Sequence, residues 1–219
     1  MSVDKAPKLM NILHVNMSLD PVTGGGTVER VRQLHEAMQN MPDISSRVLS
    51  VAVADGSALP ESDEVVLLPC WNKRWYLPAL KLLTMYRMVH QADVIHLMNH
   101  WTVLNVIIYW MARMSGTPYV ICPAGALPLF GRSQDIKRWY NRLVGLALIK
   151  NSAAAIVVAE DEVELITQSG VLPESIHHIP NGVRIDDFLY SDEDLFRKHA
   201  GVGDAESFRF VGRLTEIKG

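Results

Sequence analysis

Arg213 and Lys218 stand on either side of a short turn in "FVGRLTEIKG", just after an extended run that Gly212 breaks. A guanidinium and an ammonium so close together form a fixed positive pair, and the ligand they hold must be read from the rest of the chain. A second candidate lies in "DPVTGGGTVERV". Its glycines let the backbone turn sharply and approach a ligand, and the helix that starts near Thr27 points its free amides into the same space. Such a helix end is worth on the order of 0.3–1 kcal/mol per charge when exposed. A ligand-free turn would use the same glycines. The spacing is not G-x-G-x-x-G, so the dinucleotide fingerprint fails.

Further candidates follow apolar runs. "DVIHLMNHW" brings His96, His100 and Trp101 to the end of a strand, where a tryptophan offers a face to a sugar and a histidine a hydrogen bond; His96 also fits a core position. In "CPAGALPLFGRS" the glycine and prolines shape a loop and Arg132 can reach an anion. Asn181 of "PNGV" either bonds its own backbone or donates to a ligand. "WNKRWYLPALKLLTMYR" and "RSQDIKRWYNRLVGLALIK" mix cations with aromatics, a pattern shared by membrane-surface helices and by solvated helices that cover a sheet. No cluster has metal-ligand spacing, and no Ser or Cys sits in a nucleophile elbow.

The elements that must carry these groups alternate strand and helix. Runs such as "NILHVNM", "SRVLSVAVA", "EVVLLPC" and "AAAIVVA" are nearly continuous in apolar residues. Between them, Val28, Val31, Leu34 and Met38 recur at helical spacing, and Pro78 is placed to open another helix. Strands of this kind imply a parallel sheet covered on both faces, an α/β, Rossmann-like doubly wound domain with ligands at the carboxyl ends of its strands. The domain is expected over residues 1–190, with a polar, acidic linker over 191–207. Residues 208–219 then open a second domain that is nearly absent.

With 219 residues and a net charge of −3, the chain can bury a core without staples, and bulk nucleic-acid binding is disfavoured. The two cysteines, Cys70 and Cys122, lie in apolar runs and read as buried reduced thiols. No signal-like or membrane-spanning stretch is evident, which places the protein in the cytoplasm, with a peripheral contact at the inner membrane face open to it.

Taken in order, "GGGTVER", "IPNGVRIDDF" and "FVGRLTEIKG" resemble the retaining glycosyltransferases of the GT-B fold, specifically glycosyltransferase family 4. "CPAGALPLFGRS" resembles the loop of members that build bacterial surface polysaccharides. The resemblance implies a hexosyltransferase-type enzyme with two Rossmann-like domains, of which this chain is the acceptor-side one. The donor is then a UDP- or GDP-sugar acting as co-substrate, with no cofactor and no metal. The acceptor is a glycan or a lipid-linked glycan. Arg213 and Lys218 become the diphosphate clasp, assisted by Gly25 and Gly26, while His100, Trp101, Arg132 and Asn181 fall to the acceptor. Negative charge grows on the leaving diphosphate during transfer, so fixed cations aimed at it are what catalysis needs. A charge pair at roughly 4 Å contributes about 4 kcal/mol at an effective dielectric of 20. The resemblance also implies that this length of chain is inactive alone. Three positions depart from the family pattern: Met98 replaces the second histidine of H-x-H, Ala124 stands in the loop where a histidine or arginine is common, and Arg184 follows Val183 where an aspartate is usual. An α/β module that holds an anion or a sugar without turnover is the alternative.

Overall fold

The computed structural model describes residues 9–53, 56–128, 133–185, 197–198 and 201. The chain divides into two units, Met1–Gly182 and Val183–Gly219, and the first contains the sheet.

Eight strands form that sheet: β1 (Met10–Val15), β2 (Ile44–Ala52), β3 (Val65–Asn72), β4 (Leu77–Pro78), β5 (Val94–Met98), β6 (Tyr119–Cys122), β7 (Ala154–Val157) and β8 (Ile176–His178). Their order is β4-β3-β2-β1-β5-β6-β7-β8, and every pairing is parallel except β3 with β4. The chain therefore winds outward from β1 in one direction, returns, and winds outward from β5 in the other. The reversal falls between β1 and β5, where a doubly wound sheet opens its crevice.

The helices between them are α1 (Pro21–Gly24), α2 (Gly26–Gln39), α3 (Leu82–Gln91), α4 (Val103–Ser115), α5 (Gln134–Tyr140), α6 (Leu146–Lys150) and α7 (Asp161–Gln168). A π turn, Asn141–Gly145, joins α5 to α6. Strand periodicity sorts side chains to two faces. Leu13, Val15, Leu49, Leu68, Ile95 and Leu97 point to one, where they pack with Met85 and Val89 of α3 and Leu104 and Ile108 of α4. Val48, Val65 and Met98 point to the other, against Val31 of α2.

Contrary to the expectation from sequence, Pro78 does not open a helix. It pairs with Cys70 across a two-residue antiparallel strand, and α3 starts at Leu82. A proline has no N–H for the ladder, so it fits a strand on the sheet's margin. Both cysteines are free thiols and Cys122 is buried as expected, but Cys70 is only half-buried, because it lies near the end of β3 beside the two-residue β4.

Candidate functional site

Both strands at the reversal end on asparagine. Asn99, in the left-handed region at φ 66°, donates from Nδ2 to Oδ1 of Asn16 at 2.6 Å. Asn16 in turn accepts from the Met17 amide and donates to the Ser18 carbonyl. Asn105 of α4 donates to the carbonyls of Met98 and Asn99. These side chains are all buried and tie the loop leaving β1 to the loop leaving β5, giving the crevice a rigid polar floor.

From that floor the first loop climbs through α1 to the glycines. They do different jobs. A Cβ on Gly24 would lie 2.1 Å from Cγ2 of Val28, so Gly24 is a packing requirement. Gly25, at φ 56° and ψ −141°, makes the turn into α2. Gly26 is exposed, with open space where its Cβ would be. The first bonded amide at this end of α2 is that of Val28, to the Gly25 carbonyl at 3.1 Å, and the helix start is the end that favours an anion. Glu29, the acid of the first turn, is engaged by Arg32 and Gln33.

One turn on, Arg30 is buried yet faces no carboxylate among the described residues; it donates to Oδ1 of Asn181 at 2.8 Å and to the Ile179 carbonyl at 3.1 Å. Asn181 thus spends its carbonyl oxygen on Arg30 rather than on its own backbone. Beneath them, His14 and His96 stand side by side on β1 and β5 with Nδ1 to Nδ1 at 3.0 Å, one ring donating to the other. Burial, then the Arg30 charge, holds His96 down to about 4, and burial drives His14 the same way. Of its two readings, His96 takes the core one.

Beyond β5, His100 is fully buried, bonded through Nε2 to Oδ1 of Asn141 at 2.9 Å and held at about pKa 4 by burial. Tyr140 donates to the His100 carbonyl at 2.6 Å. Trp101 packs edge-on to His100, donates its indole N–H to the Ala126 carbonyl, and carries Nζ of Lys137 5.4 Å from its ring centre. His100 therefore supports this wall, while Trp101 and Tyr140, both half-buried, reach its surface. The π turn places Asn141 under His100, and its Gly145 leaves room that a Cβ would take from Asn141 and the Tyr140 ring. A mainly apolar cavity of about 340 Å³ lies alongside, lined by Trp75, Leu77, Trp101, Ile136, Lys137 and Tyr140 among others.

The loop after β6 is held from across the fold. Buried Glu162 of α7 accepts from the Gly125 amide and, at 2.8 Å, from the Val158 amide. Ala124 and Gly125 both have positive φ, 51° and 79°, so this loop is bent sharply as it passes the rim.

Of the residues singled out from the sequence, Gly25 and Gly26 follow β1 and His100 and Trp101 follow the adjacent β5, while Asn181 follows β8 and meets Arg30 of α2. Arg132, Arg213 and Lys218 lie outside the described residues. Sequence reasoning missed Asn16, Asn99, Asn105, Arg30, Asn141 and Glu162. Only the first two left a readable trace, an asparagine ending each of two apolar runs. Among the described residues no group of three or more His, Cys, Asp or Glu could hold a metal ion, and no helix is long and apolar enough to cross a membrane.

The sheet and its reversal make this a doubly wound α/β domain, the class whose ligands sit at the carboxyl ends of the strands. More narrowly, the chain belongs to the glycosyl transferase 4-like domain family, which matches residues 25–182. No curated protein matches the sequence. Among solved structures, it is similar to Anabaena Alr3699/HepE in complex with UDP-glucose, at 19% identity and TM-score 0.58 over 89% of this chain and 50% of that one. It is also similar to a UDP-N-acetylglucosamine 2-epimerase, at 13% identity and TM-score 0.56 over 80% and 49% of the two chains. A third is S. aureus MnaA with UDP, at 11% and 0.50 over 87% and 50%. The chain thus spans about half the length of these structural relatives.

Proposed function

We propose that this chain is the acceptor-side half of a retaining glycosyltransferase. It moves a hexose from a nucleotide-linked donor to a glycan or lipid-linked acceptor during polysaccharide biosynthesis, on the cytoplasmic side of the membrane. The carrying observation is the rim at the strand reversal, where the open start of α2 at Gly25 and Gly26 and the indole of Trp101 leave adjacent strands whose loops are bonded through Asn16 and Asn99. An anion at the helix start and a sugar against the indole would then share one crevice. Membership of the glycosyl transferase 4-like family supports this reading over passive binding. A UDP-linked donor is favoured over a GDP-linked one because HepE is complexed with UDP-glucose and MnaA with UDP.

The roles follow from chemistry. Arg213 and Lys218 take the donor diphosphate, where leaving-group charge grows, and the amides at Gly25 and Gly26 assist. Trp101 stacks on the acceptor and His100 fixes the wall behind it, while Arg132 and Asn181 complete the acceptor side. With retention, the acceptor attacks on the face the leaving group departs from, and the leaving phosphate takes the acceptor proton.

The test uses a polypeptide carrying this chain together with its donor half, assayed against a panel of UDP- and GDP-sugars. Arg213→Ala is expected to lower turnover roughly 100-fold, and more than Trp101→Ala does. Equal losses, or a larger one for the tryptophan, overturn the diphosphate role. Sugar binding without turnover by any panel member makes the protein a binding module instead. The 219-residue chain alone is expected to show no multiple turnover.

A further inference from the structure

Four of the five tryptophans, Trp71, Trp75, Trp110 and Trp139, are exposed. That is unusual for the largest side chain, which is mostly buried on average. They do not stand alone. On the run from the end of β3 into α3, Leu80, Leu82, Leu83 and Tyr86 are also exposed, at 67%, 52%, 62% and 43%. Through α5, the π turn and α6, the exposed set is Ile136, Trp139, Leu143 and Leu146, at 54%, 63%, 73% and 46%. Both helical stretches bury one apolar stripe, Met85, Met88 and Val89 in one and Leu148 and Ile149 in the other, and turn a second apolar stripe to solvent. A helix that only covers a sheet needs one stripe.

The two stretches adjoin, since Trp75 and Leu77 from the first line the same cavity as Ile136, Lys137 and Tyr140 from the second. Their charge is just as uneven. Residues 71–87 and 133–150 contain eight of the chain's 21 basic residues and one of its 24 acidic ones, in a chain whose net charge is −3. That one acid, Asp135, is paired with Arg138 at 2.8 Å. The acidic residues cluster elsewhere, for example Glu160, Asp161, Glu162 and Glu164 at the start of α7.

We propose that this face binds a bilayer surface rich in anionic lipid, with Trp71, Trp139 and Leu143 in the headgroup layer and the cations on lipid phosphates. Indole rings favour the interface between water and hydrocarbon, and long cationic side chains reach from an apolar contact to the phosphates. A second copy of the chain is a poor occupant, because a two-fold contact would set these eight cations against their own counterparts. An anionic membrane complements both the apolar stripe and the charge.

The experiment sediments the 219-residue chain with phosphatidylcholine vesicles, with and without phosphatidylglycerol, while tryptophan emission is followed. Partitioning at least tenfold stronger on the anionic vesicles, with a blue-shifted emission, is expected. Arg74→Gln with Arg142→Gln should weaken it about 25-fold, about fivefold per cation. Trp139→Ser should remove much of the blue shift. All these positions are exposed, so circular dichroism and the thermal midpoint should stay unchanged and separate a binding loss from a folding loss. Equal partitioning on neutral and anionic vesicles, none on either, or an undiminished double variant overturns the proposal. Dimerisation in light scattering that Trp139→Ser abolishes assigns the face to a second copy and overturns it as well.

Discussion

The two faces of one sheet make an instructive contrast. On the face covered by α3 and α4, the buried strand residues Leu13, Val15, Leu49, Val51, Ile95 and Leu97 are all apolar. On the face under α2, the same strands bury His14, Ser46, Ser50 and His96 among Val48, Val65 and Met98. Burying polar groups without full hydrogen bonding costs stability. Among the described residues Nε2 of both histidines, Nε of Arg30 and Oγ of Ser50 have no partner. One face therefore holds the domain together. The other gives up part of that stability for a polar layer beneath the glycine bend and Arg30.

That contrast can be broken at several points. The largest single effect is expected at Leu97, fully buried on the apolar face. Leu97→Ala should destabilise the chain by about 3 kcal/mol in denaturant titration, and a loss under about 1 kcal/mol would mean that this face is not the main core. Next comes acid. His96 titrates near 4 in the folded chain against 6.5 when unfolded, so the unfolded chain takes up the proton first as pH falls. The stability this ring contributes is whole above about 6.5, drains between there and about 4, and is down by about 2 kcal/mol at pH 5. His14 and His100 act in the same direction. Thermal midpoints followed from pH 7 to 5 should fall, and His96→Leu should remove part of that fall; an unchanged acid profile would show that the pair is not what titrates.

At the rim, Glu162→Gln leaves one of two clamped amides, Gly125 or Val158, facing an NH₂ group, and should cost about 1–2 kcal/mol. Protease nicking within residues 123–128 should rise with it, and no change in either quantity would show that Glu162 does not clamp the loop. The smallest effect is expected at Ser50, whose hydroxyl is buried without a partner. Ser50→Ala should shift stability by less than about 0.5 kcal/mol in either direction. A larger loss would reveal a hydrogen bond from that hydroxyl and make the polar face costlier to alter than its geometry implies.

Much of the fold was legible because parallel strands buried on both faces must be apolar runs, and each such run became a strand of the sheet. Gly170, a glycine just past the helical run, follows α7 at φ 92°, the left-handed conformation that suits a helix end. What escaped was decided at long range. β4 is two residues long and contains a proline, so it left no periodic mark. The site was legible only where glycines or aromatics marked it. Nothing local to His100 names Asn141, 41 positions away, and nothing near Gly125 names Glu162, 37 away. The buried histidines were ambiguous for a related reason. The sequences "NILHV" and "VIHLM" each show a histidine in an apolar run, but only the register of β1 against β5 makes them neighbours.

Among the described residues the sheet finishes on two very short margins, Leu77–Pro78 at one end and Ile176–His178 at the other. A long open margin would be a template on which another polypeptide could lay its backbone and start a fibre. Here β4, one of whose two residues lacks an amide hydrogen, covers only the Cys70–Asn72 end of β3 and, among the described residues, leaves Val66–Leu68 without a strand neighbour on that side, while β8 adds three residues at the other end. Margins this short limit, without abolishing, the backbone sites at which a second polypeptide could add a strand beside the exposed aromatic surface.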